Sequence, residues 1–230
     1  MRRTIFWVIV VIAVGIAIYL VSTMNLFSTT NNDQPDAVSQ ATASRYQEKE
    51  IREYQGVQLD PAIGPRDNSI AGIQQVDLDS YQLQLVGLVD NPTSLSYEQV
   101  LAKEKAQRLI TLYCVEGWQA TVLWEGVRIT DLLAEAGIRD DANTVIFHCV
   151  DGYTTALPLA TVQDKAMLLA YSANGVVLPA SMGFPFIVVA EDKLGYKWAR
   201  WVTDIELSSD ENYKGYWERR GYENDATVNK

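Results

Sequence analysis

The segment LYCVEGWQ, Leu112 to Gln119, ends an apolar run with a thiol and follows it with an acid, a glycine and a tryptophan. A thiolate at Cys114, set where a strand ends and the backbone turns, has the chemistry of a metal ligand. Gly117 lets the chain come close to a bound group, and Trp118 can wall off water. The second thiol, Cys149, sits beside the single histidine, His148, in the apolar stretch TVIFHCV. Two cysteines and one histidine supply little for an ordinary zinc site, which takes three or four ligands at close spacing. Two other uses of these residues stay open. One is a Cys114–Cys149 disulfide, which would contribute roughly 4 kcal/mol in the chain-entropy picture. The other is a Cys-His hydrolase, set against a histidine that is simply bonded locally on its strand.

The elements that must position these residues can be read from pattern. YQLQLV (Tyr81 to Val86) alternates as a half-buried strand does, DNPTS is turn chemistry, and SYEQVLAKEKA opens on Ser96 as a helix N-cap. The apolar run LITLYC follows, and then a second helix, TDLLAEAG, with Thr130 as N-cap and Gly137 as its stop. TVIFHCV, FPFIVVAE and RWVTDIEL read as later strands. Strands and short helices mix without a βαβ rhythm, so the expected class is α+β. Neither a phosphate-loop nor a dinucleotide-binding glycine pattern occurs, which disfavours common nucleotide enzymes.

The 230 residues, 48% hydrophobic and 21% charged, suffice for one globular domain with a sizeable core. Residues 1–27 read differently. Ile5 to Val21 is a run of 17 uncharged, mostly apolar residues, and STMNLF extends it towards the roughly 20 needed to span a bilayer. Arg2 and Arg3 precede the run and no Lys or Arg follows until Arg45, so the expected anchor has its N-terminus in the cytoplasm and its domain outside. Residues 28–55 read as a polar tether, with RYQEKEIREYQ as a possible helical continuation, and 56–230 as the folded domain. With the first two arginines set aside, 17 basic residues face 29 acidic ones, about −12, which disfavours nucleic acid as a partner.

CVEGW, followed by VLWEGVRITDLLAEAG, resembles the molybdopterin domain of the sulfite oxidase family, especially its small members related to the periplasmic methionine-sulfoxide reductase catalytic subunit. The stretches YQLQLVGLVDNPTSLSYEQVL, DGYTTALPL, LLAYSANGVVLPASMGFPF, GYKWARWVTDIEL and YWERRGY carry the resemblance across about residues 66 to 223. It implies mixed β-sheets with short helices and a molybdenum–molybdopterin cofactor. The Cys114 thiolate would bind the metal, a soft anionic ligand suited to an ion that changes oxidation state. Glu116 matches an acidic position close to the metal, able to move a proton, and Tyr222 matches a tyrosine whose hydroxyl lies near it. Arg66 and Asn68, in GPRDNSI, fall near an early polar motif of the site. Asp151 matches a pterin contact. Trp198, Ala199 and Arg200 match the stretch that holds the cofactor's ring and phosphate, with Arg in place of the usual Lys. The pattern is departed from at Met182, usually His or Asn, and at Ile187, usually Arg.

The resemblance thus implies a membrane-anchored oxidoreductase that transfers an oxygen atom to or from a sulfoxide or sulfite-like small molecule. No haem-attachment motif is present, so electrons would pass through a separate carrier, a haem-bearing membrane subunit or a cytochrome. The alternative, to which Met182 and Ile187 point, is a binding or scaffolding module that kept the fold and lost the cofactor. The arginine pair in MRRTIF suits both a twin-arginine export signal and ordinary flanking charge.

Overall fold

The computed structural model describes residues 46–62 and 69–228. The apolar run Ile5 to Val21, most of the polar segment, and Arg66 and Asn68 lie outside the described residues. Among the described residues no helix is long and apolar enough to cross a membrane.

The described strands form a two-stranded ribbon and two five-stranded sheets. The ribbon pairs β1 (Glu53–Tyr54) with β2 (Val57–Gln58). The charged stretch before it makes only a short helical turn at Tyr46 and Gln47. Packed structure begins before Gly56: Glu50 is buried and accepts hydrogen bonds from Ala62 N at 2.9 Å and Asn174 Nδ2 at 3.0 Å. These two amides and Arg52 Nη1, at 3.4 Å, all meet Oε2, so a backbone amide, a side-chain amide and one cation take the place of water at that oxygen.

One sheet contains β3 (Leu83–Gly87), β4 (Thr93–Leu95), β7 (Thr144–Cys149), β8 (Thr154–Pro158) and β12 (Val202–Ser208), in the order β4-β3-β12-β7-β8. The β3–β12 pairing is parallel and the rest antiparallel. Leu83 and Leu85 are buried while Gln84 and Val86 are partly exposed, as the alternation in YQLQLV requires. The other sheet is built on the long hairpin of β5 (Lys105–Tyr113) and β6 (Gln119–Arg128), continued by β9 (Leu168–Ala173) with β10 (Val176–Val177) and β11 (Ile187–Val189). The mixed sheets and few short helices agree with the α+β expectation.

The helices are short. α1 (Tyr97–Leu101) starts with a full capping box, Ser96 bonding Gln99 N while the Gln99 side chain bonds Ser96 N. It ends sooner than the sequence suggests, because Lys105 and Ala106 belong to β5. α2 (Ile129–Ala136) ends at Gly137, φ +77, as expected. Its start differs. Arg128, extended and without a side-chain cap bond, precedes it, and Thr130 lies inside the first turn. β6 runs directly into this helix: Ile129 is fully buried and its N–H bonds Met167 O at 2.9 Å, so tertiary packing sets the boundary rather than a capping hydroxyl. α3 (Leu159–Asp164) packs beside it.

Candidate active site

The β5–β6 turn presents the thiol. Cys114 N donates to Trp118 O at 2.9 Å and Gly117 N to Cys114 O at 3.1 Å, with Gly117 at φ +87. That positive φ is what demands glycine here. Cys114 is half-buried, and its Sγ accepts from the Glu116 N–H at 3.5 Å. Burial raises its pKa; the Glu116 and Val115 backbone donors pull it down, and the Glu116 carboxylate pushes it up. As a metal ligand the thiol would give up its proton on binding the cation. Trp118 Nε1 donates to Glu116 Oε2 at 3.1 Å, fixing the carboxylate beside the thiol's own turn.

The β7–β8 turn, from the other sheet, supplies Asp151. Its Oδ1 accepts from Tyr153 N at 3.0 Å, and Gly152 takes φ +80. The third contribution is the segment from Gly195 to Trp201. Tyr113 bridges Leu194, which ties this segment to the end of β5. Trp198 is nearly buried; its Nε1 donates to Lys193 O at 3.0 Å and its ring packs on Trp124 at 5.5 Å. Arg200 Nη1 donates to Ser181 O at 2.9 Å, and its guanidinium lies 4.6 Å from the Trp201 ring centroid. The fourth is the C-terminal stretch, which adds Trp217 and Tyr222.

These parts enclose a cavity of about 420 Å3, within the roughly 300–1,000 Å3 of small-molecule and cofactor sites. Cys114, Glu116, Asp151, Trp198, Arg200 and Tyr222 all line it. Six sequence-expected residues, spread over more than a hundred positions, thus meet at one place. Ala199 is not among them. It is fully buried, its N–H donates to Lys197 O at 3.2 Å and its carbonyl accepts from Val188 N at 2.8 Å. Arg66 and Asn68 lie outside the described residues, although Ser69 and Ile70, just after them, reach the cavity wall.

Met182 and Ile187 also line the cavity without closing it. Ile187 belongs to β11, where it pairs with Ala170 and bridges Arg200. The wall also includes residues not singled out from sequence, among them Tyr153, Ser181, Tyr196 and Trp217. Tyr153 and Trp217 stand inside the stretches DGYTTALPL and YWERRGY, so the signal was there as part of a block rather than as a chemical type.

The two thiols are free, which removes the disulfide. Cys149 is buried, with its pKa raised strongly by desolvation. His148 pairs with Glu206, Nε2 to Oε2 2.7 Å, on the sheet and away from the cavity-lining residues, so no Cys-His couple forms.

The donor set fits a metal held within an organic chelate. Among the described residues no cluster of three or more His, Cys, Asp or Glu could hold an ion by itself; Cys114 offers one soft thiolate. Arg200 is the cation among the described lining residues, suited to an anionic end of a cofactor, and the flat indole and phenol faces of Trp118, Tyr153 and Trp198 suit a ring system.

Residues 70–217 match the family described as Oxidoreductase molybdopterin binding domain. The chain is 39% identical over 147 residues to the oxidoreductase YuiH of Bacillus subtilis, covering 64% of this chain and 74% of that one. It is 34% identical over 151 residues to YedZ1 of Azospira oryzae, named as a protein-methionine-sulfoxide reductase subunit, covering 65% and 57%. It is 31% identical over 180 residues to mitochondrial sulfite oxidase of Rattus norvegicus, covering 65% of this chain but 33% of that protein. Among solved structures, the sulfane dehydrogenase SoxCD from Paracoccus pantotrophus superimposes with a TM-score of 0.59 at 18% identity, over 84% of this chain and 57% of that one, a likeness of fold.

Proposed function

The chain belongs to the oxidoreductase molybdopterin-binding domain family, and from that premise we propose that it transfers an oxygen atom to or from a sulfoxide or sulfite-like substrate, outside the cytoplasmic membrane to which residues 1–27 anchor it. It is a molybdopterin-dependent oxidoreductase, and its cofactor is molybdenum–molybdopterin.

When bound, that cofactor supplies a two-electron redox centre able to exchange an oxygen atom. The protein's own residues do the rest. Cys114 gives the thiolate that holds the metal. Arg200 and Asp151, on opposite contributing segments, bind the cofactor's charged and polar ends, with Trp198 and Tyr153 as walls that exclude water. Arg66 and Asn68 are assigned to the same polar end, and Ala199, fully buried between Trp198 and Arg200, anchors that segment through its backbone bonds to Lys197 and Val188.

Glu116, held by the Trp118 indole, carries a proton to or from the substrate oxygen at the cavity mouth. The Tyr222 hydroxyl, also on the cavity lining, orients that oxygen. Besides Arg200 the described lining includes two carboxylates and many aromatic groups, which suits an uncharged sulfoxide better than a dianion. In this reading electrons pass to or from a separate carrier, a haem-bearing membrane subunit or a cytochrome. The similarity to YedZ1, named as one subunit of a reductase, supports this.

The observation that carries the reading is the single thiol on the wall of a cavity that also holds Arg200 and Asp151. Elemental analysis tests it: the chain from a cofactor-producing host should hold about one molybdenum, and the Cys114→Ser variant under about a tenth. Equal metal in both would refute it.

A further inference from the structure

Lys197 is fully buried, and the proposed chemistry makes no use of it. Its ammonium has three protons, and three acceptors meet them: Ala156 O at 3.0 Å, a Glu218 carboxylate oxygen, and Asn224 Oδ1 at 3.1 Å. Glu218 and Asn224 are the two ends of the loop that carries Tyr222. One nitrogen therefore fixes both ends of that loop, and Ala156 ties the nitrogen to β8. The neighbouring Tyr196 acts on the middle. Its hydroxyl donates to Glu223 O at 2.7 Å, and its ring meets the Tyr222 ring edge-on at 5.2 Å. Tyr222 is pressed from the other side by Trp217, at 5.0 Å. A second lysine, Lys193, repeats the arrangement further along: its Nζ donates to Asp225 O at 2.8 Å, Asp225 Oδ1 at 2.7 Å and Thr227 Oγ1 at 2.7 Å.

We propose that the dipeptide Tyr196–Lys197 is a positioning device that clasps the 218–224 loop and thereby sets Tyr222 on the rim of the cavity. Tyr222 itself is 40% exposed and the described structure records no hydrogen bond from its hydroxyl, so its place depends on the loop and on two ring contacts. A tyrosine that must meet a reacting oxygen within a few tenths of an ångström needs such support, since small misplacements are costly. The clasp rests on the reading of Tyr222 above only for its purpose; the geometry stands by itself, and the test separates the two.

The test uses the purified full chain and limited trypsin digestion, with cut sites mapped by mass spectrometry. Arg219 and Arg220 are exposed within the clasped loop, while Lys103 and Lys105 report on the β5 region. In Asn224→Ala and Tyr196→Phe, which touch partly or fully exposed groups and leave the buried pair whole, cutting at Arg219 and Arg220 should rise severalfold with Lys103 and Lys105 unchanged. In Lys197→Met the rise should be about tenfold or more. Should Lys197→Met fail to fold, because Glu218 is left buried and uncompensated, the two milder variants decide. Turnover provides the second readout: Tyr196→Phe combined with Tyr222→Phe should lose no more kcat than Tyr222→Phe alone. Unchanged cutting at Arg219 and Arg220, or an equal rise at all four sites, would overturn the clasp. A protein without molybdenum but with the expected cutting pattern would keep the clasp and refute the reading of the site.

Discussion

The Trp118 indole donates to Glu116 Oε2 across 3.1 Å, and Glu116 in turn offers its backbone N–H to Cys114 Sγ. Trp118, Glu116 and Cys114 thus form one short chain of contacts within a single turn, in which the aromatic ring holds the acid rather than only walling off water. Trp118→Phe keeps the wall and removes the donor. Its kcat for sulfoxide turnover is expected to fall about three- to tenfold with molybdenum content unchanged. A kcat equal to that of the parent would show that the indole does not hold the acid in place for the reaction.

The two thiols should differ sharply in reactivity before cofactor is loaded. Cys114 borders the cavity, whereas Cys149 is buried with its thiol held protonated by desolvation. A chromogenic disulfide reagent is expected to titrate one thiol per folded apo chain and two in denaturant; the Cys114→Ser variant should show none until unfolded. Two fast thiols in the native chain would contradict the packing around Cys149.

Alkaline stability carries a definite sign. Burial, the largest cause in every case, raises the phenol pKa of Tyr171 and Tyr196 to about 12, and of Tyr81, Tyr97 and Tyr153 upward as well. Above about pH 10 the unfolded phenols release protons that the folded ones keep, so the native state binds more protons and unfolding free energy falls as pH rises. Lys197, whose pKa burial lowers, works the other way up to about pH 10.5, but one ammonium opposes five phenols. The thiols of Cys114 and Cys149, also raised by burial, add the same sign from about pH 9, so the urea midpoint is expected to begin falling near pH 9 and to drop more steeply beyond about pH 10. A rising midpoint there would refute the burial of these rings.

Two glycines should respond differently to alanine. A Cβ at Gly126 would lie 2.2 Å from Leu169 O and 2.5 Å from Ala170 Cα, at the irregularity where β6 meets β9. Gly126→Ala is therefore expected to cost at least about 2–3 kcal/mol by urea denaturation. Gly152 has open space around its Cβ position but a φ of +80, so Gly152→Ala should cost about 1 kcal/mol, through the backbone alone.

Local signals were legible where the physics is local. The capping box at Ser96 and Gln99 and the left-handed stop at Gly137 each need only a few neighbouring residues, and both stand as the sequence implies. Thr130 misled because its preference for helix starts is worth about 1 kcal/mol, less than burying Ile129 against the neighbouring strand. The site stretches were legible as blocks, which is why Tyr153 and Trp217 were inside them yet unremarked: nothing in a single residue type says that a ring will face a cavity. The clasp was invisible, since Lys197 reads as a surface charge until its three acceptors, from β8 and the C-terminal loop, are seen around it.

By itself the sequence determined the class of chemistry and the short-range elements. A thiol before an acid and a glycine, in a run of stretches shared with a redox family, specifies a soft ligand on a tight turn, and such turns form from contacts within a few residues. Only the tertiary structure decided which distant residues share the cavity, that Cys149 and His148 take no part in it, and that Met182 and Ile187 leave it open. The reason is that side chains from two different sheets and a C-terminal strap meet there, and such meetings are set by how the sheets pack and which buried charges find partners, neither of which is encoded in any local stretch of chain.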